Sequence, residues 1–206
     1  MPSNYFKGIF LPDVKRVRQI TASHCAPAVV EMLLSKIGVS ASQTQIAEAG
    51  GMGARIASEG MTIDELAVSI GNLYTDLIFW YKFNSEIYDL RYIVELYHYP
   101  VGVEWQGEFD HKDSDEDPGH YGVVTHVDMD QGYLLIADPY YPIRDRKFNI
   151  ENFNQRWWDI SERTDPQTQG TKKFYDEKPM FIVTPRSATF PEVIGMLPAT
   201  NGLIQR

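Results

Sequence analysis

The stretch QITASHCAPAVVEMLL, residues 19–34, decides the fold because it places a lone cysteine at the start of an amphipathic helix. Apolar residues recur from position 29 to position 37 at the three-and-four spacing of one buried helical face. Pro27 suits a first helical turn, and Gly38 follows the last apolar position. The pattern therefore predicts a helix over residues 25–37 that begins at Cys25.

A cysteine at a helix start is chemically distinctive. The positive end of the helix dipole and the free backbone N–H groups favour the thiolate, which is the nucleophilic form. Cys25 is the only cysteine of the chain, so no internal disulfide forms and a reducing compartment is expected. A lone cysteine with histidine and aspartate elsewhere is a candidate nucleophile, although many single cysteines are simply small buried hydrophobic residues.

The rest of the first half is predicted to be largely helical. Ser40 with Gln43, and Thr62 with Glu65, match the capping-box signature of a helix start. These signatures predict helices that end near residues 49 and 70, followed by a strand at 77–83 and a helix at 86–97.

The second half is predicted to form strands at 101–106, 120–127, 133–137 and 180–184, with a short helix capped by Asn149. Turn residues at 128–132 make the middle two strands a hairpin, which brings His120 close to Asp138. Side-chain alternation would put His126 on the same face as His120, and His24 adjoins Cys25 in the sequence, so both compete with the favoured His120 as the base. Helices followed by antiparallel strands give an α+β fold.

Composition limits the class of protein. A chain of 206 residues predicts one domain, with a core at about 15–185 and a C-terminal tail at 186–206. The net charge of −9 argues against nucleic-acid binding. The sequence has no apolar run of membrane-spanning length and no signal-peptide pattern at its start, so we expect a cytoplasmic protein without a membrane partner.

No metal or other cofactor is expected. The acidic residues at 110–117 are expected to form a solvated loop beside His120, because Pro118 and Val124 occupy the glycine and glutamate positions of a calcium loop. Zinc-binding spacings are missing from the sequence. His120 and His126 would be about 20 Å apart at about 3.3 Å per strand residue, too far to share an ion.

Three blocks resemble the C39-like cysteine peptidases of the papain-like clan. Residues 19–34 are similar to that family's nucleophile segment, Q-x5-C-G-P-A and an apolar helix, while residues 119–124 and 137–140 resemble its histidine and Asp-Pro block. Residues 100–103 resemble the strand before the histidine, so the resemblance spans about 15–185. Ala26 replaces the usual glycine, and His24 replaces the aspartate of bacteriocin-processing members. No ATP-binding transporter module is present, so export of double-glycine peptides by this chain alone is not implied.

The resemblance implies a papain-like fold and a role for each of four residues. Cys25 would attack a carbonyl carbon, His120 would transfer protons, Asp138 would orient the imidazole and Gln19 would donate to the oxyanion. The substrate would be a peptide or protein. Two alternatives remain open: an acyltransferase or deamidase with the same thioester chemistry, and a non-catalytic peptide-binding protein, which Ala26 and the acidic run favour.

Overall fold

The computed structural model describes residues 14–107, 119–164, 170–200 and 202–205. Its helical elements are α1 (Cys25–Lys36), α2 (Gln43–Ala49), α3 (Ile56–Glu59), α4 (Ile63–Leu73), α5 (Ile87–Arg91), the π-helical segment Tyr92–Leu96, α6 (Ile150–Arg156) and α7 (Phe190–Val193). Its strands are β1 (Leu77–Lys82), β2 (Val101–Gln106), β3 (Gly119–Asp128), β4 (Tyr133–Ala137), β5 (Arg146–Asn149), β6 (Trp158–Thr164), β7 (Thr171–Glu177), β8 (Met180–Pro185) and β9 (Leu197–Pro198).

Seven strands form one sheet in the order β5-β4-β3-β2-β8-β1-β9, and β6 pairs with β7 in a separate ribbon. Every pairing within the sheet and the ribbon is antiparallel. Helix α1 packs against β3 and also contacts β2 and β8, while the ribbon meets the sheet through β6 and β2. The predicted α+β class, with N-terminal helices on an antiparallel sheet, is confirmed.

Helix α1 is the central helix of the core. Nine of its twelve residues are buried, and it begins at Cys25 as the apolar spacing predicted. Its N-cap residue, His24, makes no side-chain cap hydrogen bond. The first N–H groups of α1 are therefore left without a side-chain acceptor, at the end of the helix where the dipole is positive.

Of the two predicted capping boxes, one is confirmed and the other lies at different residues. Thr62 and Glu65 form the expected capping box of α4, whereas α2 is capped by Ser42 with Gln45 and not by Ser40 with Gln43. Gln43 is instead buried, and its amide donates to the Arg18 carbonyl at 2.9 Å and accepts from the Ile20 N–H at 3.0 Å. It thereby anchors the extended segment that leads to Cys25.

The hairpin of β3 and β4 contains an irregularity that alternation could not predict. The pairs Val124↔Ile136 and His126↔Leu135 skip one residue of β3, which is a β-bulge at Thr125. Paired residues share a face and consecutive residues alternate, so His126 faces away from Val124. The expectation that His120 and His126 share a face is wrong, because the bulge reverses the alternation between them.

Several elements were not predicted, among them β5 and the β6–β7 ribbon. Part of the expected C-terminal tail lies in the sheet, since β9 pairs with β1 at Trp80↔Pro198 and Tyr81↔Leu197. The expected helix after Asn149 ends at Arg156, and Trp157 and Trp158 follow it. The acidic run at 110–117 falls outside the described residues.

Candidate active site

Cys25 lies at the first turn of α1 with 9% of its surface exposed, at the base of a cleft. The first intrahelical hydrogen bond runs from the Ala28 N–H to the His24 carbonyl at 3.0 Å, so the N–H of Cys25 has no acceptor within the helix. Ala26 is fully buried, and its methyl group packs in the core. The thiol therefore sits where backbone N–H groups favour negative charge.

His120 and Asp138 come together at the open end of the β3–β4 hairpin. The His120 Nε2 atom lies 2.9 Å from Asp138 Oδ1. Because Nε2 is used by the aspartate, Nδ1 is the ring nitrogen left for the hydrogen bond between His120 and Cys25. Thiol, imidazole and carboxylate thus form one continuous series of contacts.

The electrostatics of the three groups are mutually dependent. Burial by itself lowers the pKa of His120, but hydrogen bonds and charge interactions with Asp138 and Cys25 outweigh it and raise the pKa to about 9. Burial raises the pKa of Asp138, but the hydrogen bond and charge of His120, together with other donors, bring it below its ordinary value. The raised pKa keeps His120 protonated at neutral pH, next to the ionised carboxylate of Asp138.

Arg146 on β5 is a site residue that the sequence analysis missed. Its Nη1 donates to Asp138 Oδ2 at 2.7 Å, while the Tyr140 N–H donates to Asp138 Oδ1 at 2.8 Å. The guanidinium also stacks over the rings of Tyr141 and Phe148, at 4.9 Å and 4.8 Å from their centroids. Asp138 is only 1% exposed, so these donors compensate its burial and fix its orientation.

The two competing histidines lie elsewhere. His126 Nδ1 is 2.9 Å from Glu95 Oε1, and His24 Nδ1 is 2.6 Å from Thr21 Oγ1. Burial lowers the pKa of His24. Of the histidines in the described ranges, His120 is the one that lines the cleft.

Gln19 lies on the wall of the same cleft. Its backbone N–H donates to the Pro139 carbonyl at 3.1 Å, which ties the segment before Cys25 to the loop after Asp138. Its side-chain Nε2 donates to the carbonyls of Thr21 and Ala22 at 2.9 and 2.8 Å. Both amide hydrogens of Gln19 are therefore directed at main-chain carbonyls in this state.

The cleft has a volume of about 1290 Å³ and runs between the N-terminal helices and the end of β2 and β3. Within the described ranges, no cluster of three or more His, Cys, Asp or Glu side chains is arranged to bind a metal ion. The described helices also include none with the length and apolar character needed to span a membrane.

Comparison with known proteins identifies the family. The profile of the Peptidase_C39 like family matches residues 11–165. The chain belongs to the Peptidase_C39 like family. The family match includes Cys25, His120 and Asp138, and the resemblance found in the sequence is confirmed. No curated protein sequence matches this C39-like chain significantly.

Two solved structures share the C39-like fold. The peptidase domain of Streptococcus ComA, a bi-functional ABC transporter involved in a quorum-sensing pathway, is 19% identical with a TM-score of 0.51; the match covers 80% of this chain and 98% of that domain. A putative C39-like peptidase from Bacillus anthracis is 18% identical with a TM-score of 0.60, over 85% of this chain and 96% of the other. At these identities the likeness establishes the fold.

Proposed function

We propose that this protein is a cysteine peptidase that cleaves a peptide or related amide bond through Cys25. The observation that carries the proposal is the series of contacts from Asp138 through His120 to Cys25 at the start of a helix. Such an arrangement keeps a thiolate and an imidazolium together, which is the reactive state of a thiol nucleophile. Family membership supports the same reaction class.

The residues divide the chemistry between them. The Cys25 thiolate forms a C–S bond to the substrate carbonyl carbon, and its electron pair moves to the carbonyl oxygen. The C–N bond then breaks as the imidazolium of His120 gives its proton to the leaving amine. Neutral His120 next takes a proton from water, which attacks the thioester and releases the acid and the thiolate. Asp138 holds the imidazole with Nδ1 towards the sulfur throughout.

The oxyanion of the tetrahedral intermediate needs donors in place. The backbone N–H of Cys25 is one, because it has no acceptor within the helix. We assign the second to the Gln19 amide, which exchanges one of its carbonyl partners, Thr21 or Ala22, for the oxyanion as the intermediate forms. A single donor of this kind contributes about 3 kcal/mol to transition-state stabilisation.

A peptide or protein is the substrate class that this site fits, because Cys25 and His120 lie in a cleft of about 1290 Å³ that has room for several residues of a peptide. The free thiol of Cys25 must stay reduced to react. The proposal therefore places the activity in a reducing compartment such as the cytoplasm.

Alkylation of Cys25 by iodoacetamide between about pH 5 and pH 9 tests the proposal without a known substrate. We expect rapid alkylation below about pH 7 that His120→Ala slows at least tenfold. His126→Ala is the matched control, because His126 contacts Glu95 and lies away from the cleft, and it should leave the rate unchanged.

Each contrary result has a distinct meaning. Loss of reactivity only in His126→Ala would reassign the base. A thiol that reacts only above about pH 8 and ignores both substitutions would support a non-catalytic peptide-binding protein. A reactive thiol that is acylated by a model ester and passes the acyl group to an added amine in preference to water would support an acyltransferase.

A further inference from the structure

Two buried carboxyl groups lie beside the candidate catalytic residues. Glu104 on β2 and Asp159 on β6 are 3% and 8% exposed, and both line the cleft that contains Cys25. Gly119 lets them approach, because a Cβ atom at that position would lie 2.6 Å from Asp159 Oδ1 and 3.4 Å from Glu104 Oε1. The proposed reaction gives neither carboxyl group a role.

Two polar atoms of this cluster are buried without an ordinary hydrogen bond. Within the described part of the chain, Glu104 Oε2 and the Tyr121 hydroxyl make no hydrogen bond of ordinary geometry, although the two side chains interact with each other, and Tyr121 is 3% exposed. Glu104 and Tyr121 face each other across β2 and β3, so their side chains lie on the same side of the sheet. Unpaired buried polar atoms are rare in proteins, and their presence beside a cleft indicates a ligand group that pairs with them.

The cluster of Glu104, Asp159 and Tyr121 is suited to binding a cation. Asp159 accepts a hydrogen bond from the Gln106 amide, but it still lies against Glu104. Burial and the neighbouring Asp159 raise the pKa of Glu104 well above its ordinary value, so Glu104 keeps its proton at neutral pH and shares it with Asp159. A cation between them would take the place of that proton and pair with both carboxylates.

The two arginines that line the cleft do not fill this position, and Lys173, which also lines the cleft, is exposed on β7. Arg55 pairs with Glu59 at 3.0 Å, and Arg146 pairs with Asp138 at 2.7 Å. An ammonium or guanidinium group from outside the chain would instead present several N–H donors to Glu104 Oε2, the Tyr121 hydroxyl oxygen and Asp159.

We propose that Glu104, Asp159 and Tyr121 form a specificity subsite for the side chain of a lysine or arginine in the peptide substrate. The inference rests on the proposed function, since it assigns a subsite of the same cleft. It makes this protein selective for basic peptides, a preference in keeping with the net charge of −9.

The subsite is placed to act on the same substrate as Cys25. His120 and Tyr121 are consecutive residues of β3, paired with Trp105 and Glu104 on β2. Their side chains leave opposite faces of the sheet, and both residues line the same cleft. The negative charge of Cys25 contributes to raising the pKa of Tyr121, after burial and the two carboxyl groups, so the thiol and the hydroxyl are electrostatic neighbours.

Epoxysuccinyl peptides test the subsite, because they can be extended on either side of the electrophilic carbon. The Cys25 thiolate forms a C–S bond as the epoxide C–O bond opens, and the oxygen takes a proton. The probes form a series in which lysine occupies each peptide position in turn. Each lysine probe has a counterpart with norleucine at the same position, which has a similar shape but no charge. The second-order rate of Cys25 labelling is measured by intact mass, alongside the rate with iodoacetamide.

At one position we expect lysine to react about tenfold or more faster than norleucine, as for a buried hydrogen-bonded charge. Glu104→Gln and Asp159→Asn should each reduce that ratio towards one and leave the iodoacetamide rate unchanged, which also shows that the variants are folded. Glu192→Gln is the control, because it removes an equal charge from an exposed position on α7.

A ratio near one at every position in the wild-type protein, with rapid iodoacetamide labelling, would overturn the subsite and leave the proposed function intact. A lysine preference that survives both substitutions would overturn the assignment to these carboxyl groups. Slow iodoacetamide labelling that ignores His120→Ala would refute the proposed function, and the subsite with it.

Discussion

Replacing Asp138 by asparagine should lower the pKa of His120 substantially. In the wild-type protein the rise of the His120 pKa from its ordinary value of 6.5 to about 9 corresponds to about 3 kcal/mol, which is what the interactions with Asp138 and Cys25 contribute beyond the opposing cost of burial. Asparagine removes the negative charge and can turn its amide N–H towards Nε2, which moves the ring proton to the nitrogen that faces the thiol. We expect the pKa of His120 to fall by about one unit or more, because the Asp138 hydrogen bond is the largest favourable interaction.

Titration of the histidine side chains by NMR measures this directly and needs no substrate. The His120→Ala spectrum identifies the His120 resonance among those of the five histidines of the chain. A Cys25→Ala protein, alone and combined with Asp138→Asn, separates the contribution of the thiolate from that of the carboxylate. A His120 pKa near 6.5 in the wild-type protein, or one that is unaltered by Asp138→Asn, would refute the reasoning.

The same pair has a consequence for stability. Because the pKa of His120 is raised in the folded state, its contribution to the free energy of unfolding is fully present below about pH 6.5 and is lost as the pH rises through about 9. The free energy of unfolding, measured with urea, should therefore fall more between pH 6 and pH 9.5 in the wild-type protein than in Asp138→Asn. Equal losses would contradict a stabilising ion pair between His120 and Asp138.

Three further predictions concern single positions. Gln19→Ala should lower kcat for acylation about 10²-fold with little change in substrate binding, and a pure binding defect would remove Gln19 from the oxyanion site. Arg146→Gln should raise the pKa of Asp138, because it removes a donor that favours the carboxylate. The stabilisation of the folded state by ionised Asp138 is lost as the pH falls through that pKa, so the variant should unfold at a higher pH than the wild-type protein during acid titration. Superimposable acid-unfolding curves would contradict this. Gly122→Ala would place a methyl carbon 2.5 Å from Ile136 Cγ2 and should cost about 1–3 kcal/mol in urea unfolding; an unchanged midpoint would show that the strand adjusts.

The sequence predicted the elements that local chemistry determines. Helix α1 follows from apolar spacing around Cys25, and the hairpin follows from strand-forming residues on either side of a turn. The hairpin then accounts for the contact between His120 and Asp138, because any antiparallel pairing with that turn brings the two strand ends together. Only the three-dimensional pairing supplied the 2.9 Å distance and the choice of Nε2.

The wrong and missing predictions have physical causes outside the local sequence. The bulge at Thr125 is a property of two paired strands, and no pattern within one strand reports it. Ser40 and Ser42 both fit an N-cap, and the burial of Gln43 decides between them. Arg146 carries no motif, since it acts through a strand pairing that brings β5 beside β4.

The proposed catalytic site and the proposed basic subsite meet at the end of β3. Gly119 and Gly122 leave room for side chains of other elements, namely Asp159 beside the first and Trp105 beside the second. Between the glycines, His120 points towards Asp138 and Tyr121 towards Glu104, on opposite faces of the sheet. Since residues of both faces line the cleft, we expect single substitutions to separate the proposed bond cleavage from the proposed recognition of a basic side chain, although the residues are adjacent. The glycine-rich histidine block is thus required by packing on both sides of the strand as well as by the imidazole itself.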